Sequence, residues 1–422
     1  MNEVWAAPLA SSPVDAVVAL PGSKSLTARA LILAALAEGR SRLVRPLRAR
    51  DTELMAAGLR ALGAGITDDG DDWVVTPGRL RGPAEVDAGL SGTVLRFLPP
   101  VAALAEGPVR VDGDPRLRER PNAGLLAALR ALDVEVADDG RGRAPFTVHG
   151  RGGVRGGAVA VDATDSSQIL SGLLLAAARF DEGLDVALAG GVPSMPHVDM
   201  TVTMLREHGI EVTATDRGWR VAPGPVAGLD RVIEPDLSNA APFLAAPLVA
   251  GGRVTVPDWP TGTTQPGAQL ERLLTAMGGR VEHDGDRLTV TGTGRIAPLE
   301  AELGEVSELV PVLAALAALA DGPSRFTGIG HMRGHETDRL QALDEVLTAV
   351  GARVTQLPDG LVVEPGTPRP SVLDSYADHR MVMAAAVLGL AIEGVQVTGP
   401  GALTKTMPDF RDRWASMLGA GR

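Results

Sequence analysis

Two lysines, Lys24 and Lys405, stand alone among 40 basic residues, the rest of which are arginines. Arginine replaces lysine readily on a surface, where a solvated charge on a flexible stem suffices. It replaces lysine poorly where a compact point charge must reach one atom, or where a proton must come off at moderate pH. Both lysines sit in motif-like phrases, Pro21-Gly22-Ser23-Lys24-Ser25 and Thr404-Lys405-Thr406-Met407-Pro408-Asp409. The first leads through Leu26, Thr27, Ala28 and Arg29 into the helical run 30–37. Glycine, serine and lysine at a helix start suit an anion, because backbone N–H groups, hydroxyls and the positive dipole end converge there. The phrase lacks the Gly-x-x-x-x-Gly-Lys-Ser/Thr pattern of a Walker A loop, and an ordinary Ser-capped helix is the plain alternative.

Three more stretches repeat this theme. Gly89-Leu90-Ser91-Gly92-Thr93 enters the apolar run after Val94, and Gly92 lets a ligand approach the backbone closely. Asp165-Ser166-Ser167-Gln168 and Asp236-Leu237-Ser238-Asn239 each precede an apolar run. Taken singly, each reads as an N-cap; together they read as helices aimed at a common cleft. Charged residues then cluster in short phrases: 114–121 with Arg116, Arg118 and Arg120, Gly334-His335-Glu336-Thr337-Asp338-Arg339, and Tyr376-Ala377-Asp378-His379-Arg380. Arginine flanked by Asp or Glu reads equally well as a solvated ion pair. Tyr376 is the only tyrosine in the chain. Glu308, entering an apolar helix at 309–320, is a candidate general base or merely a dipole-stabilising acid.

An internal repeat must position these groups. Leu59-Arg-Ala-Leu-Gly63-Ala-Gly-Ile66 recurs in altered form from Leu129, Leu205, Leu274 and Leu347, at spacings of 69 to 76 residues. Each phrase predicts a helix end whose glycine takes a left-handed cap, followed directly by a strand. Asp133 replaces the glycine once, and Asp tolerates that conformation. A hairpin with a Gly-containing turn follows each phrase, and several hairpins close on Pro-Gly, at 77–78, 223–224 and 365–366. A sixth, degenerate phrase lies at 415–422, where the chain stops without its hairpin. Residues 3–22 read as strand, turn, strand, with the second strand at 16–20, and this N-terminal hairpin is expected to complete the sixth unit. The fold class is therefore α/β with six βαβαββ-like units. Residues 21–234 are expected to form one domain, and residues 1–20 to join 235–422 in a discontinuous second one. A tandem solenoid is the alternative, and it would not need its termini to meet.

Composition sets the outer bounds. The chain has 422 residues, 45% of them hydrophobic and 22% charged, within the range of two globular domains. It has no cysteine, which removes disulfides, thiolate metal sites and a cysteine nucleophile. A net charge of −12 and 3% aromatic content argue against nucleic-acid binding. The N-terminus shows no signal-peptide pattern and the apolar runs are too short to span a bilayer, so a cytoplasmic address without membrane association is expected.

The phrases together resemble the 5-enolpyruvylshikimate-3-phosphate synthase family of enolpyruvyl transferases. Seven motifs carry the resemblance in order: Pro-Gly-Ser-Lys-Ser, Gly-Thr-x-x-Arg from Gly92, Pro-Arg-x-x-Glu-Arg-Pro, Ser-Ser-Gln, Glu-Thr-Asp-Arg-Leu, Asp-His-Arg-Met and Lys-Thr-x-Pro-Asp. The resemblance implies two domains of three βαβαββ units around a central cleft. It implies transfer of the enolpyruvyl group of phosphoenolpyruvate to shikimate 3-phosphate through a tetrahedral intermediate, in the shikimate pathway of aromatic amino-acid and chorismate biosynthesis. No metal or organic cofactor is implied, and a monomer is expected. Carried over by motif, Lys24, Ser25, Arg29, Ser166, Ser167, Gln168, Ser194, Glu308, His331 and His335 would bind shikimate 3-phosphate. Lys24, Gly92, Arg120, Gln168, Arg339, Arg380 and Lys405 would surround phosphoenolpyruvate. Glu308, Lys24, Lys405 and His335 would be catalytic, with Glu308 taking the proton of the attacking hydroxyl.

Several positions depart from the family pattern. Glu308 stands for the usual Asp, His335 for a common Lys, His331 for Asn, Leu90 for Asn and His197 for Tyr. Two histidines titrating near neutrality predict that affinity for shikimate 3-phosphate falls with rising pH more steeply than in a Lys-bearing relative. The resemblance also implies susceptibility to glyphosate, with Gly92 and Thr93 of the sensitive type. The alternatives are UDP-N-acetylglucosamine enolpyruvyl transferase, which usually carries a catalytic cysteine, and a non-catalytic anion-binding protein. Lys24, Glu308 and Lys405 together speak against the latter.

Overall fold

The repeated phrase is where the chain turns from helix into strand. In the computed structural model, which describes residues 3–419, the glycine position of each repeated phrase takes a left-handed conformation: φ is 111° at Gly63, 60° at Asp133, 81° at Gly209, 99° at Gly278 and 104° at Gly351. Gly419 in the degenerate sixth phrase has φ 79°, and residues 420–422 of that phrase lie outside the described residues. The hairpin-closing glycines pack onto these caps. A Cβ on Gly78 would meet the Gly63 carbonyl oxygen at 2.0 Å, and one on Gly366 would meet that of Gly351 at 2.0 Å. Any side chain there would force the hairpin off its helix.

Each repeat builds one small sheet. In the second, Ala84–Asp87 runs parallel to Glu106–Asp112, which pairs antiparallel with Phe146–Arg151, and Glu135–Ala137 lies outside it. Five sheets have four strands in this order and the sixth has three. The chain divides into two compact units. One is Gly22–Glu234; the other joins the segment up to Pro21 with everything from Pro235 onward. Each holds three sheets and its own hydrophobic core.

The expected N-terminal hairpin does not form. Val4–Ala6 pairs antiparallel with Gln396–Thr398 and completes the sixth sheet, whereas Val14–Val17 runs parallel beside Gly252–Val256 in the fourth. In exchange, Arg231–Val232, which precedes the fourth repeat in sequence, joins the first sheet beside Ser41–Val44. The residues between the two N-terminal strands instead bond to the segment that links the last buried helix to its strand, Ala7 N–H to Val395 O at 3.0 Å and Ala10 N–H to the helix-capping Leu390 O at 3.1 Å. Trp5 packs edge-on against Phe410, which stacks on Trp414. The described N- and C-terminal segments therefore meet, which a tandem solenoid would not require.

Each repeat contributes one helix buried on every side. In the first unit these are Lys24–Leu36, Gly92–Ala103 and Ser167–Ala177; in the second, Leu237–Ala250, Val310–Ala318 and His379–Gly389. Nearly continuous apolar sequence explains this, since a helix without a polar face has nothing to present to water. The second helix of a repeat, such as Arg50–Leu62, buries Met55, Leu59 and Leu62 and keeps Arg60 outward. Polar residues of the buried helices are confined to their first two turns, where the sequence motifs lie.

Candidate active site

In the unit Gly22–Glu234, Lys24 and Ser25 open the first buried helix. Ser23 makes no side-chain capping bond there, so the ordinary Ser-capped reading does not describe this helix. The other three starts do carry caps: Ser91 accepts from Val94 N–H, Ser166 from Gln168 N–H and Asp236 from Asn239 N–H. Arg29, one turn on, is buried. Its Nε donates to Thr201 Oγ1 at 2.7 Å, Nη1 to the Ser25 carbonyl at 2.9 Å and Nη2 to the His197 carbonyl at 2.9 Å. Arg29 thus fixes the Ser25 turn against the helix Pro196–Glu207, whose entry carries Ser194 with a left-handed φ of 53°.

Gln168 is held by Arg96, whose Nη1 donates to Gln168 Oε1 at 3.1 Å and Nη2 to Pro121 O at 3.0 Å. Arg96 therefore links the starts of two buried helices to the Arg120-Pro121 turn. A Cβ on Gly92 would stand 2.6 Å from Arg120 Nη1, so the guanidinium occupies the space that glycine leaves. Ser167 is buried beside its capping neighbour. Arg118, by contrast, pairs with Asp112 at the surface, and there the solvated ion-pair reading holds.

The C-terminal unit gathers a second set. Arg339, Arg380 and Lys405 are only 2%, 7% and 3% exposed, and Asp378 is fully buried. Arg339 Nε donates to Asp378 Oδ2 at 2.7 Å and Nη2 to Glu336 Oε2 at 2.7 Å, while Lys405 donates to the other Glu336 oxygen. Asp378 also accepts the Arg380 N–H at 2.9 Å, and Arg380 Nη1 donates to the Glu308 carbonyl at 2.9 Å. These arginines are not solvated ion pairs. Burial alone would push the Asp378 carboxyl up, but the Arg339 charge together with the His379 hydrogen bond and charge holds Asp378 far below the ordinary carboxylate range. Burial lowers Arg380, partly offset by the nearby Glu308 carboxylate.

The two histidines correct an expectation. Burial, then the positive charge of Arg339, pushes His335 down to about 3. Its Nδ1 lies 2.8 Å from Arg339 Nη1, and because a guanidinium can only donate, His335 must accept and be neutral. Burial also lowers His331, against the pull of Glu308; the two rings meet edge-on at 5.5 Å. Neither titrates between pH 7 and 9, so the predicted fall in affinity with pH loses its basis.

Glu336 and Asp378 were not singled out as site residues from the sequence. Both lie inside the quoted basic phrases, where an acid beside arginine resembles any surface pair. Only their burial distinguishes them. Thr201 and Ser171, which meet Arg29 from other helices, carried no sequence signal at all.

Comparison with known proteins agrees across the chain. The sequence profile described as EPSP synthase (3-phosphoshikimate 1-carboxyvinyltransferase) matches residues 9–414. The chain is 48% identical to a 3-phosphoshikimate 1-carboxyvinyltransferase of Kocuria rhizophila, covering 99% of this chain and 97% of that one. Its fold matches an EPSP synthase of Acinetobacter baumannii with a TM-score of 0.80 at 22% identity, covering 99% and 98% of the two chains. It also matches the enolpyruvyl transferase NikO of Streptomyces tendae with a TM-score of 0.76 at 19% identity, again covering 99% and 98%.

Proposed function

The chain belongs to the EPSP synthase (3-phosphoshikimate 1-carboxyvinyltransferase) family, and from that premise and the geometry we infer how its residues divide the reaction. The protein is a transferase of the shikimate pathway: it moves the enolpyruvyl group of phosphoenolpyruvate to the 5-hydroxyl of shikimate 3-phosphate and releases phosphate. In the addition half, the hydroxyl oxygen attacks C2 of phosphoenolpyruvate, its proton passes to a base, and C3 takes up a proton. In the elimination half, phosphate leaves C2 and C3 gives its proton back.

We assign the base to the Glu308 carboxylate. Lys24 and Lys405 supply compact charges and exchangeable protons at the reacting carbons. Ser25, Ser166, Ser167, Gln168 and Ser194 hold shikimate 3-phosphate through hydroxyl and amide groups, and Arg29 holds the Ser25 turn while adding positive charge. His331 and His335 contribute neutral hydrogen-bonding groups to the same substrate. Arg120, Arg339, Arg380 and Lys405 bind phosphoenolpyruvate, with Gly92 giving Arg120 its space. The observation that carries this division is that Arg339, Arg380 and Lys405 are buried and already locked by hydrogen bonds within their own unit. Cations fixed before the substrate arrives need no reorganisation when charge develops on it.

We further propose a cytoplasmic monomer, and the net charge of −12 supports a protein that does not bind nucleic acid. Phosphate release from phosphoenolpyruvate tests the reading. Turnover is expected with shikimate 3-phosphate and not with UDP-N-acetylglucosamine. Release with the nucleotide sugar alone would support the rival transferase, and release with neither would support an anion-binding protein.

A further inference from the structure

We propose that Tyr376, the chain's only tyrosine, is a positioning residue that holds the Asp378–Arg339 pair in its phosphoenolpyruvate-binding geometry by clamping a strained turn. This inference rests on the assignment of Arg339 to phosphoenolpyruvate.

The turn lies between the strand Val372–Asp374 and the helix His379–Gly389. Tyr376 has φ 52° and Ala377 has φ 54°. Among the described residues this is the only pair of consecutive non-glycine residues in the left-handed region. Neither residue type favours that region, because Cβ crowds the backbone there. Elsewhere among the described residues adjacent left-handed positions include at least one glycine, as at Asp139-Gly140, Gly156-Gly157 and Gly251-Gly252. Such a pair persists only where surrounding contacts over-determine it.

Four contacts do so. Asp374 Oδ1 accepts the Tyr376 N–H at 2.7 Å, and the Ser375 carbonyl accepts the Asp378 N–H at 2.8 Å. Ser375 Oγ donates to the Gly399 carbonyl at 3.2 Å. The Tyr376 hydroxyl donates to Glu345, which lies on the helix Arg339–Ala349. That last contact gives the clamp its meaning. Arg339 opens the same helix and bonds to Asp378 two residues beyond the tyrosine. The turn is therefore tied to one helix at two points, Asp378 to Arg339 and Tyr376 to Glu345. The backbone bonds set the shape of the turn and the Arg380 N–H holds one Asp378 oxygen; the second tie to the helix sets how the turn sits against Arg339. Burial, then Glu345, raises Tyr376 above its ordinary value, so the phenol stays a donor throughout the working range.

Steady-state kinetics on Tyr376→Phe and Glu345→Ala test the proposal, with thermal unfolding measured on the same samples. Glu345 is exposed, so its removal leaves the core intact. Both variants are expected to raise KM for phosphoenolpyruvate by roughly five- to tenfold, with KM for shikimate 3-phosphate changed less than about twofold. The double variant should add nothing beyond either single one. Ala377→Gly in the Tyr376→Phe background should recover part of the lost KM, since glycine holds the turn without strain. Unchanged phosphoenolpyruvate KM in both variants overturns the proposal. So does a lowered unfolding temperature with both KM values moving together, which marks a merely structural tyrosine. Failure of the underlying reading looks different: wild-type protein would then show no turnover with shikimate 3-phosphate.

Discussion

Between Gly22 and Glu234, the buried guanidiniums lean on hydroxyl, amide and carbonyl oxygens: Arg29 on Thr201, Ser25 O and His197 O, Arg96 on Gln168 and Pro121 O. From Pro235 onward, Arg339 leans on the Asp378 and Glu336 carboxylates and Lys405 on Glu336, while Arg380 donates to the Glu308 carbonyl. The same repeat thus solves the burial of positive charge in two ways. Neutral oxygen partners orient a cation by hydrogen bonding without adding a counter-charge. Carboxylate partners cancel charge but make stronger, shorter bonds and bring acids and bases into contact. The first unit sets Arg29 and Arg96 against neutral oxygens, and the second sets Arg339 and Lys405 against carboxylates.

The largest effect expected is at the two lysines, one in each unit. Lys24→Arg and Lys405→Arg keep the charge but lose its compactness and its moderate acidity. Each should lower kcat by about 10²- to 10⁴-fold. Near-normal turnover in both would return the lysines to chance survivors of an arginine-rich composition.

Next come the partners of the arginines, where the contrast is sharpest. Asp378→Asn leaves Arg339 buried without its main counter-charge, and denaturant unfolding should show a loss of about 3–5 kcal/mol. Thr201→Val removes a neutral partner of Arg29 and should cost only about 1–3 kcal/mol. Equal costs would erase the distinction between the units.

Gly92→Ala probes the first unit. The new Cβ must displace Arg120, so KM for phosphoenolpyruvate should rise about tenfold or more, the equivalent of one charge-assisted hydrogen bond. Affinity for glyphosate should fall in parallel. Stability should hold or improve slightly, because alanine favours helix over glycine. A loss of stability with unchanged KM would mean that glycine serves packing alone.

The smallest effect concerns pH. With His335 at about 3 and His331 lowered, affinity for shikimate 3-phosphate should stay flat between about pH 7 and 9, above the second phosphate ionisation near 6. Titration calorimetry across that range would expose a charged histidine as a steady decline. The same shifts affect stability at lower pH. Buried His335 and His379, both at about 3, bind protons less readily folded than unfolded. Stability should therefore fall as pH drops from about 6.5 toward 3. Asp378 has the opposite origin, a depressed carboxyl, and its contribution is lost only below the ordinary carboxylate range.

The repeat period, the left-handed caps and the buried helices were legible in the sequence because each depends on local preference. Asp133 at a glycine position was readable for the same reason: one residue type, one backbone region. The exchange of Val14–Val17 and Arg231–Val232 between sheets was not legible. Both segments carry strand sequence, and nothing local says which sheet edge each will join. In the site, Lys24, Gly92 and Arg120 stood out by motif, whereas Glu336 and Asp378 were disguised as surface ion-pair partners.

By itself, then, the sequence determined which residues could carry chemistry and where the helices that present them begin. Tertiary structure alone decided what each charge faces. It made Arg29 a brace across three helices, turned His335 into a neutral acceptor, and set Glu336 between Lys405 and Arg339. The physical reason is that a charge takes its character from desolvation and from neighbours distant in the chain, neither of which a single sequence records.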